Sequence, residues 1–387
     1  MCFFHLLSSL FYPVLSHPVW IASVLVVSIS ATAPAFSAFG MLSFVEQPIE
    51  YYTDLYDQRK ALLEGGGYRG ASEEESNLFE ASDLALKKIV QADNKQERYL
   101  ALSEYAEAEL ALYDHGNLSG AERYSYEAES LLYRELSQLD DPVPYCSSDE
   151  MPALNYLSFV FAQNSPLFWL LPIVVSGFLV LLLSERKKLV GCAPYSSASL
   201  ALASWIAAVL LSVSMVALAM LPGFLLTLVR NGLGDVAYPV VFTQSEKVLH
   251  YSLGATLLKQ IELLLLAASF ITIVEIALSR LTGSETLGAV AAAAMCLMPT
   301  ISGYMDSAAM EAEAQTVLAY LPTTYLSFGP IAGFPGAYQA VEILSIPGAS
   351  FERGVLVLTL STVFIAALGA GAFAIVRGVK RMRRGYA

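Results

Sequence analysis

Hydrophobic and polar positions divide this chain into long apolar runs and one polar block. Residues 1–45 contain no Asp, Glu, Lys or Arg, and the stretch from Pro18 to Gly40 is long enough to cross a hydrocarbon core of about 30 Å. It predicts the first membrane span. Residues 1–17 are apolar and aromatic but short, and predict an interfacial helix lying against the membrane. A leader cleaved near Ala31-Thr32-Ala33 is the competing reading, and the missing basic n-region weighs against it. Further apolar runs predict spans at 166–184, 198–221, 257–278, 287–304 and 354–376, with Pro222-Gly223 breaking the third and Pro299 interrupting the fifth. In the fourth, an uncharged core from Leu263 to Val274 is bracketed by Lys259, Glu262, Glu275 and Arg280. At 1.5 Å per residue Lys259 and Arg280 stand about 32 Å apart, so these four side chains are expected at the interfaces with snorkelling stems.

The polar block, residues 41–165, reads as helical. Ser72-Glu73-Glu74-Glu75 is a capping box opening a helix with Leu78, Ala81, Ala85, Leu86 and Ile89 on its inner face. A second helix is expected from Lys95 to Asp114, with Leu102, Tyr105, Ala106, Leu110 and Tyr113 inward. A third is opened by Ser119-Gly120-Ala121-Glu122, carries Tyr124, Ala128, Leu131, Leu132 and Leu139, and ends at Asp140-Asp141-Pro142. Asn117-Leu118-Ser119 matches a glycosylation sequon, although its use as a stop and cap suffices. The expected fold class is therefore all-α: a polytopic membrane protein with six transmembrane helices and a helical insert between the first two.

Charge orients this layout. The net charge is -13, but residues 41–155 carry 24 acidic and 9 basic side chains, so the rest of the chain is slightly positive. Glu185-Arg186-Lys187-Lys188 follows the second span, and Arg377, Lys380, Arg381, Arg383 and Arg384 follow the sixth. The positive-inside rule puts both clusters and both termini in the cytoplasm of a plasma-membrane protein, and the insert outside. No basic stripe suited to nucleic acid exists away from the tail.

Candidate chemistry is sparse. The four cysteines, Cys2, Cys146, Cys192 and Cys296, are dispersed, with Cys146 alone in the insert, so no disulfide framework forms there. No metal-ligand spacing is present among the four histidines. Gly65-Gly66-Gly67-Tyr68-Arg69-Gly70 lacks the lysine of a phosphate-binding loop, so the chain has no ATPase of its own, and no nucleophile elbow occurs. Glu262 and Glu275 could serve as an ion relay, but interfacial anchoring is the simpler reading. Eleven of the 21 tyrosines lie in residues 41–155. Packing of a small helical domain accounts for them, and a recognition surface is the alternative.

Two stretches carry a family resemblance. Ser184-Glu185-Arg186-Lys187-Lys188-Leu189-Val190-Gly191-Cys192-Ala193-Pro194-Tyr195 resembles the cytoplasmic connection between spans two and three of ABC-2 type ABC transporter permeases. Tyr320-Leu321-Pro322-Thr323-Thr324-Tyr325-Leu326 is similar to the element that family places in short re-entrant helices before its last span. The resemblance covers the membrane body and not the insert. It implies that Glu185, Arg186, Lys187, Lys188, Gly191 and Pro194 form a coupling helix docking onto a separate ATPase subunit. It also implies that Pro322, Thr323 and Tyr325 belong to an extracytoplasmic re-entrant element. ATP and magnesium would then be bound by the partner, and a second permease copy or a homologous permease would complete the assembly. The coupling stretch lacks the family's second basic residue after the proline, and the first segment lacks basic anchors. The expected function is export of an amphipathic substrate such as an antimicrobial peptide, drug or lipid-like molecule, without enzymatic activity in this chain. The alternative is a non-transporting sensor or immunity protein that binds a peptide through its extracytoplasmic helices.

Overall fold

The computed structural model describes residues 17–36, 47–65, 68, 72–116, 123–145, 147–163, 165–185, 197–244, 247–298, 317–336, 346 and 348–385. Among the described residues, four helices are long and apolar enough to cross a membrane: α1 (Pro18–Thr32, extended by a 3₁₀ turn Ala33–Ala35), α8 (Ser197–Asn231), α9 (Leu253–Thr282) and α11 (Phe351–Gly385). A fifth crossing is available if the bent pair α6 (Ala153–Gln163) and α7 (Leu170–Glu185) counts as one, its halves meeting at 76°. In that case the expected second span at 166–184 is the far arm of an element that begins at Ala153.

Two expectations change. Pro222 does not break the third span: it sits inside the continuous α8, as tolerated where neighbouring helices replace the lost backbone bond. Gly223 beside it permits close packing, because a Cβ there would stand 3.0 Å from the Tyr156 ring and 3.2 Å from Ala31 O. The described part of the expected fifth span is α10 (Glu285–Leu297); Pro299 and the rest of that span lie outside the described residues. The connection from 232 to 252 forms an antiparallel hairpin, β1 (Pro239–Gln244) and β2 (Lys247–Ser252), in register Val241↔His250. All but Thr243 of β1 is buried, so its short apolar run gave no alternation to read.

The body is built round α9, which packs on α7, α8, α10 and α11. Leu263, Leu264, Ala267, Phe270, Ile271 and Val274 are buried along it. The outer helices bury one stripe each. On α1 Val24, Val27 and Ala31 face in, while Leu25, Val26 and Ile29 are exposed; Leu356, Leu360, Val363 and Phe364 of α11 also face out.

Ahead of α6, the described residues of the insert form α2 (Ile49–Glu64), α3 (Glu73–Gln91), α4 (Lys95–Asp114) and α5 (Arg123–Leu136). The box at Ser72 and Glu75 opens α3 as its sequence predicts, and α4 has the expected bounds, capped by Asn94. The start expected for the third helix, 119–122, lies outside the described residues. Ala81 is exposed and Ser82 is buried in its place, because Ser82 joins a polar network described below. The insert is stitched to the body. α5 packs on both hairpin strands, Tyr145 lies 5.1 Å from Tyr238, and Ser148 Oγ donates to Pro34 O at 2.9 Å. Asn231 Nδ2, at the end of α8, donates to Asp149 O at 2.8 Å and Met151 O at 2.9 Å.

Candidate functional site

The residues Pro322, Thr323 and Tyr325 fall in an element spanning 317–336 that is buried along most of its length, with Val317 and Tyr320 exposed. Pro322 starts a 3₁₀ helix, Pro322–Leu326, after extended Leu321, a position where its missing N–H costs nothing. The element ties itself together: Tyr325 Oη donates to Ala319 O at 2.6 Å and Thr324 Oγ1 to Leu318 O at 2.7 Å. Thr323 and Tyr325 are both buried. Gly354 in the first turn of α11 is required by Tyr325, whose ring Cδ1 would be 2.5 Å from a Cβ.

Three side chains that the sequence reading missed hold this element in the bend between α6 and α7. Trp169 Nε1 donates to Leu326 O at 3.0 Å, and Phe328 meets the Trp169 ring edge-on at 5.4 Å. Gln244 Nε2, from β1, donates to Pro330 O at 3.0 Å. Gln260 Nε2, from α9, reaches Gly333 O at 2.9 Å and Ser158 O at 3.2 Å. The available signal was Gln260 at the head of the apolar run of α9, between Lys259 and Glu262; an amide buried between helices is retained where it has a bond to make. Gly333 adopts φ +75° and abuts Phe242, so the turn tolerates no side chain.

The four interfacial charges separate. Lys259 is a cation over the Tyr251 ring at 3.3 Å, with Phe351 at 5.0 Å, and Glu262 is exposed. Arg280, in the last turn of α9, is partly exposed. Glu275 departs from the interfacial expectation: it is 0 % exposed, turned inward against α7, where Ser176 Oγ hydrogen-bonds its Oε2. A Cβ at Gly177 would stand 2.8 Å from Glu275 Oε1. Its distance from the helix end was legible; its azimuth was not, because the face of α9 that meets α7 depends on tertiary packing.

In the insert, Arg59 of α2 reaches across to α3 and α4. Its Nη1 donates to Ser82 Oγ at 2.6 Å and its Nη2 to Glu109 Oε1 at 2.8 Å, while Asp83 Oδ1 lies 3.4 Å away. Burial works against the Arg59 charge, but the Glu109 bond and the surrounding Tyr105, Glu109 and Asp83 hold the guanidinium above its ordinary value. Tyr68 donates to Asp83 at 3.0 Å, and its burial together with that bond pushes the phenol up to about 12. The arrangement is a closed lock among three helices.

Of the coupling stretch, Glu185 is the last residue of α7. Arg186, Lys187, Lys188, Gly191 and Pro194 lie outside the described residues. The described residues bring no three His, Cys, Asp or Glu side chains together in a metal-binding group. No family model, curated protein or solved structure matches the chain.

Proposed function

We propose that the chain is the membrane subunit of an ABC-2 type exporter, coupled through residues 185–194 to a separate ATPase and moving an amphipathic substrate out of the cell. The observation that carries this reading is the lodging of the Pro322 element in the bend of α6 and α7. Trp169 stands at the head of the same helix that Glu185 ends. A displacement applied at Glu185 would travel along α7, about 25 Å of continuous helix, to the residue that holds Leu326. Rigid helices joined at a hydrogen-bonded bend suit rigid-body transmission of this kind. The exposed apolar faces of α1 and α11 suit lipid or a second permease copy. In this reading both termini are cytoplasmic, the insert is extracytoplasmic, and ATP and magnesium are held by the partner.

The test is affinity purification from the native host with its membranes. The expected result is a co-purifying ATPase whose recovery falls when Glu185 and Arg186 are both replaced by alanine. Purification without an ATPase, together with unchanged export in that double variant, would overturn the proposal in favour of a non-transporting sensor or immunity protein.

A further inference from the structure

The seam between α6 and α9 concentrates buried side-chain atoms that have no hydrogen-bond partner within the fold. Asn155 and Ser158 stand one turn apart on α6, Thr256 and Gln260 one turn apart on α9, and all four are 0 % exposed. The helices start from one loop: Ala153 N–H donates to Gly232 O and Leu253 N–H to Tyr238 O. They pack against one another. Gln260 Nε2 joins them by its bond to Ser158 O. Asn155 Oδ1 and Nδ2, Ser158 Oγ, Thr256 Oγ1 and Gln260 Oε1 have no hydrogen-bond partner. Native interiors rarely leave such groups unpaired, and a cluster of them calls for a ligand or a function.

The set has a definite chemistry. Asn155 offers an amide donor and an amide acceptor, Gln260 a further acceptor, and the two hydroxyls can each donate or accept. No charged side chain belongs to it, and its flanks are apolar, with Tyr156 and Phe159 on α6 and Leu253 and Leu263 on α9 all buried. A charged headgroup would find no countercharge here, and a pure hydrocarbon would leave every polar atom unpaired. A peptide backbone between apolar side chains satisfies both constraints, since its amide supplies one N–H and one C=O to pair with an asparagine.

We propose that this seam binds the backbone amides of an apolar peptide segment, and that the Pro322 element closes it. Gln260 holds that element at Gly333 O, so moving the element away frees the Gln260 amide for the ligand. The proposal deepens the exporter reading by naming its substrate class, but binding itself requires no ATPase.

The experiment uses the full chain in lipid nanodiscs and a neutral, end-capped, dansylated peptide of alternating leucine and alanine, paired with its backbone N-methylated counterpart. Energy transfer from tryptophan reports binding. The expected result is that N-methylation weakens binding by about tenfold or more. Thr256→Val and Ser158→Ala, both small changes, are expected to abolish that discrimination without lowering the thermal midpoint, because neither removes a bond within the fold. Equal binding of the two peptides, no binding of either, or discrimination that survives both substitutions would overturn the seam as a peptide site. A lowered midpoint in Thr256→Val would overturn it too, by showing that the hydroxyl is used structurally. None of these outcomes bears on the ATPase co-purification, so the two proposals fail separately.

Discussion

In the insert, Arg59, Ser82, Asp83 and Glu109 form one network in which buried polar atoms are mutually bonded. In the apolar body, Asn155, Ser158, Thr243, Thr256, Gln260, Glu275 and Ser279 each keep a buried polar atom without a partner. Among the described residues, none of the nine such atoms falls in the helices α2 to α5. The two regions face the same cost of burying polarity. The insert removes it internally and so gains a fixed shape. The body leaves it standing beside helices that bend and elements that are clamped, where a ligand or a motion can use it.

The sharpest way to break this comparison is Arg59→Met. Glu109 is only 6 % exposed at its side chain, and stripping its cation leaves a buried carboxylate uncompensated, at about 3 kcal/mol. Denaturant unfolding followed by circular dichroism should show that loss, and replacing Glu109 by leucine in the same chain should restore most of it. A single variant as stable as the parent would mean that the network does not hold α2 in place.

Glu129 is the insert's exception. Its carboxyl is pushed up to about 7 by burial, so between about pH 4.5 and 7 the folded state holds a proton that the unfolded state has released. Stability therefore declines as pH rises through that window. Glu129→Gln should remove the decline, a gain on the order of 2 kcal/mol at pH 8 with little change at pH 4. In the body the sign of an apolar replacement should invert relative to Arg59→Met: Thr256→Val is expected to gain about 1 kcal/mol in thermal unfolding, since it removes a buried hydroxyl that bonds to nothing. A loss there would erase the contrast between the two regions.

What the sequence disclosed follows the range of the forces involved. Local signals were sufficient for α3 and α4, where the Ser72 box and Asn94 satisfy orphan N–H groups within their own first turns. Hydropathy located α1, α8, α9 and α11, because length and apolarity are counted along the chain. It overran at Pro222, whose tolerance depends on neighbours that the sequence does not display. The helix α2 was missed because its apolar side chains form no stripe: Tyr52 is buried, while Leu62 and Leu63 are exposed. Of the candidate site, Pro322, Thr323 and Tyr325 were legible as a motif, and Trp169, Gln244 and Gln260 were not. Their bonds span 157, 86 and 73 residues, and no local pattern encodes a partner at that separation.

The smallest effect tests the insert's self-sufficiency at its surface. His115, just past the end of α4, places Nδ1 2.9 Å from Ala111 O and Nε2 3.3 Å from Glu74 Oε1 at the start of α3. Those bonds, to the Ala111 carbonyl first and to Glu74 second, raise its pKa above the ordinary 6.5. The folded state thus holds this proton more tightly, so the contribution is fully present below about pH 6.5 and fades as pH climbs through the raised value. Being solvent-exposed, the clasp is also screened by salt. Melting curves of the parent and His115→Gln, taken from about pH 5.5 to pH 8 in low salt, should differ most at the acid end and converge at the alkaline end. Glu129 lowers stability over part of the same window in both proteins and cancels in the difference. A gap that widens with pH would mean that His115 is held neutral, with Glu74 playing no part in closing α3 against α4.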